Sequence, residues 1–481
     1  MMKATFLIPP PLDGPVAAER IFGCNYGIYP TPNIFILILA AILKQEGFEV
    51  SLRDFSAEGG TGDDLVSFVR SDDSDIYLFY TVFLSKKTDL MAREVIRRER
   101  PLAKCVFMAT EPTSSPADFV DTDSVVVRGE PDETVRELAP KLASGGDLSG
   151  VLGISYMSGG RVAHNPPRPV IEDLDSLPFP DRSIIDKTRY HNPKLSRLPY
   201  TALMASRGCA YRCYYCVPNS LDFAREIEFK KSSPGGRKPP VRMRSAGNIL
   251  AEVRQIKEEG YRSFFILDDQ FLWDEARTLG IMAGLKGMDM EWSCLARANK
   301  LQDERVVRAM AEAGCAFIAI GVESFNQGIL DYIGKDLKVE MVYKAVANLK
   351  KYGIEPELNI LLGSCPLETE ATIKHTLDEA IKLDVDYTLI SVCTPFPHTE
   401  FNRIAKEKGW MIEPEYRAID PIKQSFISYP HLTKDDLERL IRKAYFRFYF
   451  RPSYIWKRLR KVRGLADLLN KVKAAATIFR G

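Results

Sequence analysis

Three of the nine cysteines stand close together in the segment Met204-Ala205-Ser206-Arg207-Gly208-Cys209-Ala210-Tyr211-Arg212-Cys213-Tyr214-Tyr215-Cys216, directly after a strand predicted at Thr201–Ser206. We call residues 208–216 the cysteine loop. The spacing C-x3-C-x2-C puts three thiolates on one tight loop, where they can bind three irons of a cubane cluster and leave the fourth iron open. The loop therefore predicts a [4Fe–4S] cluster on Cys209, Cys213 and Cys216.

Other interpretations of the cysteine loop explain fewer of its residues. A structural zinc site needs a fourth ligand, usually from another C-x2-C or H-x3-H pair, and no such pair occurs in the sequence. A thioredoxin-like redox pair would use Cys213 and Cys216 and leave Cys209 without a role. A chance arrangement is the remaining alternative. The other six cysteines are scattered, which predicts reduced thiols rather than a disulfide framework.

The chain around the cysteine loop alternates strands and helices. The predicted strands are Thr201–Ser206, Phe264–Leu267, Glu291–Leu295, Phe317–Ile320, Glu357–Leu362 and Tyr387–Val392, and helical spacing marks Ala246–Glu259, Glu304–Ala313 and Val339–Tyr352. Six such units predict a partial (β/α)6 barrel. Chemistry in barrels lies at the carboxyl ends of the strands, and the cysteine loop begins at such an end.

The N-terminal part of the chain shows the same alternation. Its predicted strands are Lys3–Ile8, Phe48–Asp54, Ile76–Thr81, Cys105–Ala109 and Val125–Val127, and its predicted helices are Asn33–Gly47, one including Leu65–Val69, Thr88–Arg100 and Asp132–Leu142. Apolar strands alternating with helices indicate a Rossmann-like, doubly wound parallel sheet. The expected fold class is therefore α/β, with this sheet first, the barrel second and a helical C-terminal region last.

These patterns divide the chain into four segments. We expect a Rossmann-like domain at 1–148, a proline-rich connector at 149–197, the barrel at 198–400 and a basic helical region at 401–481. In the connector, a hairpin is predicted around Ser158-Gly159-Gly160. In the last segment, helices are predicted at Lys434–Tyr449 and Ile455–Leu469, with Pro452 between them.

Charge is distributed unevenly although the whole chain carries only +2. From Arg439 onward there are thirteen basic residues and one acid, Asp467, so this tail carries about +12 and the rest about −10. The tail predicts either a helix packed on the barrel with a solvated basic face or peripheral contact with an anionic membrane. Nucleic acid is the least favoured partner. The first residues predict no signal peptide, so we expect a cytoplasmic protein.

The cysteine loop resembles the signature of the radical S-adenosylmethionine (SAM) superfamily, which has an aromatic residue before the last cysteine, here Tyr215. The resemblance implies that SAM binds the open iron and that one electron cleaves it to a 5′-deoxyadenosyl radical. That radical takes hydrogen from an unactivated carbon, while the protein supplies geometry and excludes water. It also implies an external electron donor such as flavodoxin or ferredoxin.

Polar residues at later strand ends agree with this resemblance. It implies that Arg297 faces the SAM carboxylate, which suits a guanidinium fork, and that Glu323 binds the ribose or amino group of SAM. Asp268 and Ser324 are expected beside them, although Asp268 is also a suitable helix N-cap. His398 stands where relatives usually carry glycine, either near the site as a donor or base or as a structural residue.

The domain order resembles the cobalamin-binding branch of the superfamily. The segments that carry this resemblance are Phe6–Pro10, Ile34–Gln45, Val127–Thr134 and Leu174–Pro180. It implies cobalamin in the crevice formed by the loops after Ile8, Asp54, Thr81 and Ala109. The sequence departs from the pattern of this branch in two ways. No histidine precedes His164. The loop after the fourth strand reads Ala109-Thr110-Glu111-Pro112-Thr113 instead of the usual Gly-Gly-x-His-x-Thr, in which the glycines allow close approach to the corrin.

With cobalamin, the expected reaction is methyl transfer to an unactivated carbon of a small-molecule or lipid substrate. Without it, the expected reaction is a radical cyclisation or rearrangement, as in the anaerobic magnesium-protoporphyrin ester cyclase, or lipid modification. A hypothesis of another class is a non-catalytic iron–sulfur electron carrier or redox sensor, which would need neither Arg297 nor Glu323.

Overall fold

The computed structural model describes residues 2–14, 17–23, 29–233, 236–412, 416 and 424–460. Two parallel sheets organise these residues, one in the N-terminal part and one around the cysteine loop. The expected fold class is confirmed, including the order of the two sheets along the chain.

The N-terminal sheet has the strand order β2-β1-β3-β4-β5-β6-β7. Its strands are β1 Lys3–Ile8, β2 Glu49–Asp54, β3 Ile76–Tyr80, β4 Lys104–Met108, β5 Ser124–Val127, β6 Ile154–Ser158 and β7 Arg161–His164. The first five are parallel, and the predicted hairpin β6–β7 adds two antiparallel strands at the edge beside β5. Every residue of β3 and β5 is buried, as expected for strands covered on both faces.

Helices cover both faces of this sheet. They are α1 Ile34–Gln45, α2 Phe55–Glu58, α3 Gly62–Ser71, α4 Lys86–Glu99, α5 Thr110–Ser114 and α6 Asp132–Ser144. One apolar core contains side chains of α1 and α6 and the other contains side chains of α3 and α4. The strand order reverses between β1 and β3, so the loops after these strands border a crevice at the carboxyl edge.

The connector follows β7 and has little regular structure beyond short 3-10 turns at Leu174–Ser176, Arg182–Ile184 and Lys187–Arg189. Hydrogen bonds connect it to both sheets. Tyr190 Oη donates to Asp54 Oδ2 over 3.0 Å at the end of β2, and Arg182 Nη2 donates to Ala202 O over 2.8 Å in the first barrel strand.

The second sheet is a six-stranded parallel barrel wall of order β15-β14-β13-β12-β11-β8. The strands from β8 onward are β8 Tyr200–Leu203, β9 Ser206–Arg207, β10 Arg242–Met243, β11 Ser263–Ile266, β12 Glu291–Ala296, β13 Cys315–Glu323, β14 Glu355–Leu362 and β15 Tyr387–Val392. Strands β9 and β10 form a separate antiparallel ribbon next to the cysteine loop. All six predicted barrel strands are confirmed, with shifts of a few residues at their ends.

The helices of the barrel pack mainly on its outside. They are α7 Ser220–Ser232, α8 Ala246–Glu258, α9 Glu275–Leu285, α10 Glu304–Glu312, α11 Gln327–Tyr332, α12 Val339–Lys351, α13 Glu370–Lys382 and α14 Glu400–Glu407. Helix α7 differs from the others because it begins directly after the cysteine loop and all its residues from Ser220 to Glu228 are buried.

Helices α15 Lys434–Tyr449 and α16 Pro452–Arg460 complete the described chain. Helix α15 covers the open edge of the barrel: Tyr445 Oη accepts from Ile390 N over 3.1 Å, and Tyr449 Oη accepts from Thr388 N over 3.1 Å. These hydroxyls pair backbone groups that an edge strand would leave exposed. The part of the basic tail from residue 461 lies outside the described residues. None of the helices in the described chain combines the length and apolar character needed to cross a bilayer.

Candidate active site at the cysteine loop

The start of the cysteine loop is held by Asp268, which follows β11. Its Oδ1 accepts from Ala205 N over 2.7 Å and its Oδ2 accepts from Ser206 Oγ over 2.5 Å. Gly208 then adopts φ +98°, and a Cβ at this position would lie 2.3 Å from Nη2 of Arg225. Glycine is therefore favoured here by its backbone conformation, and any larger residue would also displace the end of the Arg225 side chain.

The three cysteines share one partly buried environment. The amide of Cys216 donates to Cys213 O over 3.1 Å, which closes a tight turn. Burial, with smaller contributions from the charges of Asp269 and Cys213, raises the pKa of the Cys209 thiol to about 11. Burial raises the pKa of Cys216 well above its ordinary value, and Cys213 and Cys209 add to that shift. The sulfurs are thus close enough to influence one another.

This set of thiols fits a cluster better than a single ion. In the described part of the chain, no three His, Cys, Asp or Glu side chains converge to hold one metal ion. A cubane makes a different demand, because each thiolate binds a separate iron. Since ionising a buried thiol without a metal is costly, bound iron would offset the penalty that raises the pKa values of Cys209 and Cys216.

Arg297, at the end of β12, lies directly against the cysteine loop. The carbon of its guanidinium stands 3.6 Å from the centre of the Tyr211 ring, and Nη1 lies 3.9 Å from Cys213 Sγ. Its Nη2 donates to the backbone oxygens of Lys335 and Asp336. Its Nε is buried and has no hydrogen-bond partner among the described residues, which leaves a donor available at the site.

Glu323, the last residue of β13, adopts φ +68° and forms a buried ion pair with Lys335. Lys335 Nζ donates to Glu323 Oε1 over 2.5 Å. Burial lowers the pKa of Lys335, but the charges of Glu323 and Cys213 outweigh burial and raise it overall. Sequence reasoning missed Lys335 because it follows the short helix α11 rather than a strand.

The remaining predicted residues divide into two groups. Tyr215 is half-buried beside the cysteines, and burial, followed by the charges of Glu323, Cys213 and Cys216, raises its pKa well above the ordinary value. Ser324 Oγ instead lies 3.1 Å from Thr376 Oγ1 of α13. The structure therefore gathers Tyr215, Arg297 and Glu323 around the cysteines, whereas Asp268 bonds to the start of the loop and Ser324 to a neighbouring helix.

Asp269 is a further residue of the site that sequence reasoning left out of its assignments. Its Oδ1 accepts from Asn219 N over 2.6 Å, and its Oδ2 is buried without a hydrogen-bond partner in the described structure. Burial raises the pKa of Asp269 well above the ordinary value, and the charge of Asp222 raises it further. The only signal in the sequence was the acidic pair Asp268-Asp269 at a strand end.

The carboxyl edges of the two sheets meet at α7. Ser220 N donates to Ile21 O over 2.6 Å in the loop after β1, and Ser220 Oγ lies 3.5 Å from Tyr80 Oη at the end of β3. Helix α5, after β4, packs on α7. His398, after β15, places Nε2 2.7 Å from Ser114 Oγ of α5. The N-terminal crevice therefore opens towards the segment that follows the cysteines.

The loop after β4 has a backbone conformation typical of glycine, although the residue at that position is alanine. Ala109 adopts φ +82°, a region that favours glycine. Thr110 Oγ1 is buried with no hydrogen-bond partner in the described chain, so it retains hydrogen-bonding capacity at the crevice edge. Glu111 pairs with Lys86 over 2.8 Å. This loop thus keeps a tight shape and an unused hydroxyl despite its unusual sequence.

Comparisons with known proteins agree with this architecture. Residues 203–380 match the model of the Radical SAM superfamily. An uncharacterised methyltransferase of Pyrococcus horikoshii is 29% identical over 477 residues, covering 95% of this chain and 94% of the relative. The anaerobic magnesium-protoporphyrin IX monomethyl ester cyclase of Rubrivivax gelatinosus is 25% identical over 344 residues, which cover 69% of this chain and 57% of that protein.

Two solved structures share the fold over most of the chain. OxsB, a cobalamin-dependent SAM radical enzyme solved with aqua-cobalamin and SAM, superposes with a TM-score of 0.71 at 18% identity, covering 100% of this chain and 72% of OxsB. TsrM of Kitasatospora setae, a radical SAM methyltransferase solved with tryptophan and a SAM analogue, gives a TM-score of 0.64 at 17% identity, covering 88% and 80%.

The chain thus has an α/β architecture in which a Rossmann-like sheet precedes a parallel barrel wall. The loop after the first barrel strand carries three thiols, the number that a cluster with one open iron requires. The family match spans the cysteine loop and the strands β11 to β14, so this part of the chain is similar to the radical SAM superfamily. Enzymes of this superfamily use a [4Fe–4S] cluster and SAM.

Proposed function

We propose that this enzyme transfers a methyl group to an unactivated carbon of a small-molecule substrate with the help of cobalamin. The observation that carries the proposal is the meeting of the two carboxyl edges at α7, with Ser220 bonded to the loop after β1. A corrin in the N-terminal crevice would then lie on the side of the cysteine loop. The methyltransferase name of the Pyrococcus relative and the fold shared with OxsB and TsrM support the same reaction.

The residues of the barrel site take the following roles in this proposal. Cys209, Cys213 and Cys216 hold the cluster, which when bound supplies the electron that cleaves SAM. Arg297 binds the SAM carboxylate with the part of its guanidinium that the backbone oxygens leave free. Glu323 accepts a hydrogen bond from the ribose or amino group of SAM.

Three further residues support this pocket. Tyr215 closes the pocket beside the cysteines and excludes water. Asp268 fixes the start of the cysteine loop through Ala205 and Ser206. Ser324 fixes the turn after Glu323 through its contact with Thr376.

The crevice residues would bind the corrin without a histidine ligand from the N-terminal domain. No histidine occurs before His164, so the loops after Ile8, Asp54, Thr81 and Ala109 supply backbone and hydroxyl contacts instead. Thr110 Oγ1, buried without a hydrogen-bond partner in the described chain, is the side chain we assign to such a contact.

Anaerobic reconstitution with iron, sulfide and hydroxocobalamin tests the proposal. The protein should retain corrin through gel filtration and, with SAM, a reductant and substrate, should release S-adenosylhomocysteine and 5′-deoxyadenosine in equal amounts. Cys213→Ala should abolish 5′-deoxyadenosine formation, whereas Cys315→Ala, at a buried cysteine of the barrel core, should not. Failure to retain corrin would remove the methyltransferase proposal.

A cobalamin-independent cyclisation or rearrangement is the second candidate, favoured by the similarity to the Rubrivivax cyclase. It predicts 5′-deoxyadenosine without S-adenosylhomocysteine and no retained corrin. A lipid-modifying enzyme would give the same products from a lipid substrate. A non-catalytic electron carrier or redox sensor predicts cluster reduction without SAM cleavage. The product assay therefore separates methyl transfer, other radical reactions and electron transfer, and the identity of the substrate separates lipid modification from cyclisation.

The remaining proposals concern organisation and partners. We divide the chain into domains at 1–148, 149–197, 198–400 and 401–481, and we propose a flavodoxin or ferredoxin as the electron donor.

We propose a cytoplasmic enzyme whose basic C-terminal helices contact an anionic membrane surface. The exposed rings of Phe446 and Phe450 share α15 or its end with the exposed Arg442 and Lys443, and the exposed Trp456 lies under Arg460, which supports that contact. Sedimentation with anionic but not neutral vesicles would test it.

A further inference from the structure

Residues 128–132, which are the loop between β5 and α6 and the first residue of α6, reach from the N-terminal domain to the start of the cysteine loop. Arg207, two positions before Cys209, donates from Nη1 to Glu130 Oε1 over 2.5 Å and to Asp132 Oδ2 over 2.7 Å. Its Nη2 donates to Asp132 Oδ1 over 3.0 Å. The guanidinium thus uses its fork on two carboxylates of the other domain.

All three side chains of this contact are buried. The side chains of Arg207, Glu130 and Asp132 are 0%, 5% and 2% exposed. Burial alone would lower the pKa of Arg207, but Asp132 and then Glu130 outweigh it and raise the pKa above the ordinary range. Because a buried charge without its partner is strongly unfavourable, this arrangement fixes Arg207 in one place.

The same N-terminal loop also holds the helix that follows the cysteines. Arg128 Nε donates to Glu228 Oε1 of α7 over 2.8 Å, and both side chains are buried. Gly129, at φ +72°, brings the loop so near that a Cβ there would lie 3.1 Å from Glu228 Cβ. Residues 128–132 therefore bond to the chain on both sides of the three cysteines.

Among the described residues, barrel side chains such as Asp268 and Arg277 bond to backbone groups and one hydroxyl of the segment before the cysteine loop. Asp268 accepts from Ala205 N and Ser206 Oγ, and the ribbon β9–β10 pairs Arg207 with Arg242. In the described structure, the carboxylates that form ion pairs with Arg207 are Glu130 and Asp132, both of the N-terminal domain. The charge of Arg207 is therefore balanced by the N-terminal domain.

We infer that Arg207 is a positioning residue through which Glu130 and Asp132 of the N-terminal domain hold the cysteine loop in its cluster-binding shape. The N-terminal domain then has a role in the barrel's own cofactor site, separate from any ligand in its crevice. Loss of the contact loosens the loop before any cluster is bound.

Hydrogen exchange of the full-length apo chain tests this inference, with Arg207→Met and Asp132→Asn as the test variants. Exchange in residues 206–220 should become faster by about tenfold or more, because opening of this segment is no longer opposed by the buried pair. Iron retained after reconstitution and challenge with a chelator should fall by about tenfold, as for other residues that orient metal ligands.

Arg182→Met is the matched control, since Arg182 forms an equally buried pair with Glu252, with exposures of 1% and 0%, and its other bonds go to Thr201 and Ala202 of β8 rather than to residues 206–220. It should lower overall stability and leave exchange in residues 206–220 unchanged. Arg207→Lys should restore the loop only in part, because one ammonium group cannot reproduce the fork.

The inference is overturned if folded Arg207→Met and Asp132→Asn proteins exchange at residues 206–220 like the wild type, or if Arg182→Met accelerates that segment equally. Should Arg207→Met fail to fold, the isosteric Asp132→Asn decides the matter. Exchange in the apo chain needs neither SAM nor corrin, so a wrong methyltransferase proposal would leave this result unchanged.

Discussion

At the scale of single residues, Glu368 gives the chain a specific pH dependence. This fully buried carboxyl accepts from Gly363 N and Ser364 N, each over 2.8 Å, yet burial outweighs these bonds and raises its pKa to about 7 from 4.5. Between pH 4.5 and 7 the unfolded chain therefore releases a proton that the folded chain keeps. The contribution of Glu368 to the free energy of unfolding is fully present below pH 4.5, and it falls by about 3 kcal/mol as the pH rises to 7.

Denaturant unfolding at several pH values checks this expectation. The wild-type free energy of unfolding, measured relative to Glu368→Gln, should decrease by that amount from pH 4.5 to 7. Ser364→Ala removes a donor that lowers the pKa of Glu368, so it should extend the decrease to higher pH. A difference between wild type and Glu368→Gln that stays constant with pH would contradict the assignment.

The residues of the site were predictable where their signal is local. The three cysteines and Tyr215 form one contiguous pattern, and Arg297 and Glu323 stand at strand ends, where a barrel gathers its site. Lys335 and Arg207 were not predictable, because their roles depend on partners far away in the chain: Glu323 for the first, and Glu130 and Asp132 for the second. Sequence spacing carries no information about such pairs until the domains are packed.

At the scale of elements, two helix N-caps with the same chemistry should have different consequences. Asn219 caps α7, with its side chain accepting from Asp222 N over 3.0 Å, while Thr433 caps α15 and accepts from Asp436 N over 3.3 Å. Alanine at either position should cost about 1–2 kcal/mol in unfolding free energy. Only Asn219→Ala should also reduce cluster content, since it removes the bond that Asn219 Nδ2 donates to Asp269 Oδ1 over 3.2 Å beside the cysteines.

Thermal unfolding and iron analysis of the two variants separate these effects. Thr433→Ala serves as the control for general loss of a cap. Equal loss of iron in both variants, or none in Asn219→Ala despite its lower stability, would show that the start of α7 does not shape the site.

Strands were easier to predict than helices in this fold. Buried parallel strands such as β3 and β5 are continuous apolar runs, so a short stretch of sequence is enough to predict them. Helix α7 was not predicted because Asp222, Arg225, Glu226 and Glu228 interrupt its apolar pattern. Ion pairs allow these charges to be buried: Glu228 pairs with Arg128 of the N-terminal domain, Asp222 with Arg225 in the same helix, and Glu226 with Lys230 and Lys238. Contacts of this kind, rather than apolar periodicity, determine the helix.

At the scale of the whole molecule, the N-terminal domain and the barrel should unfold together. An apolar cluster joins them: Phe83, after β3, lies 6.1 Å from Phe223 of α7 and 6.1 Å from Phe396 after β15, measured between ring centres. The buried pairs of Arg207 and Arg128 cross the same interface. Because each domain loses these contacts when the other unfolds, scanning calorimetry of the apo chain should show one transition.

Removing the central ring of this cluster should weaken that coupling. Phe83→Ala should cost about 3–5 kcal/mol and separate the calorimetric profile into two transitions, since the lost contacts are those between the domains. Phe107→Ala is the control: Phe107 is buried within the N-terminal core and stacks on Phe79 with 4.8 Å between ring centres. Phe107→Ala should lower the stability of the N-terminal domain but keep the contacts that Phe83 makes across the interface. Two well-separated transitions in the wild type would show instead that the interface contributes little, and the N-terminal domain would then be unable to hold the cysteine loop.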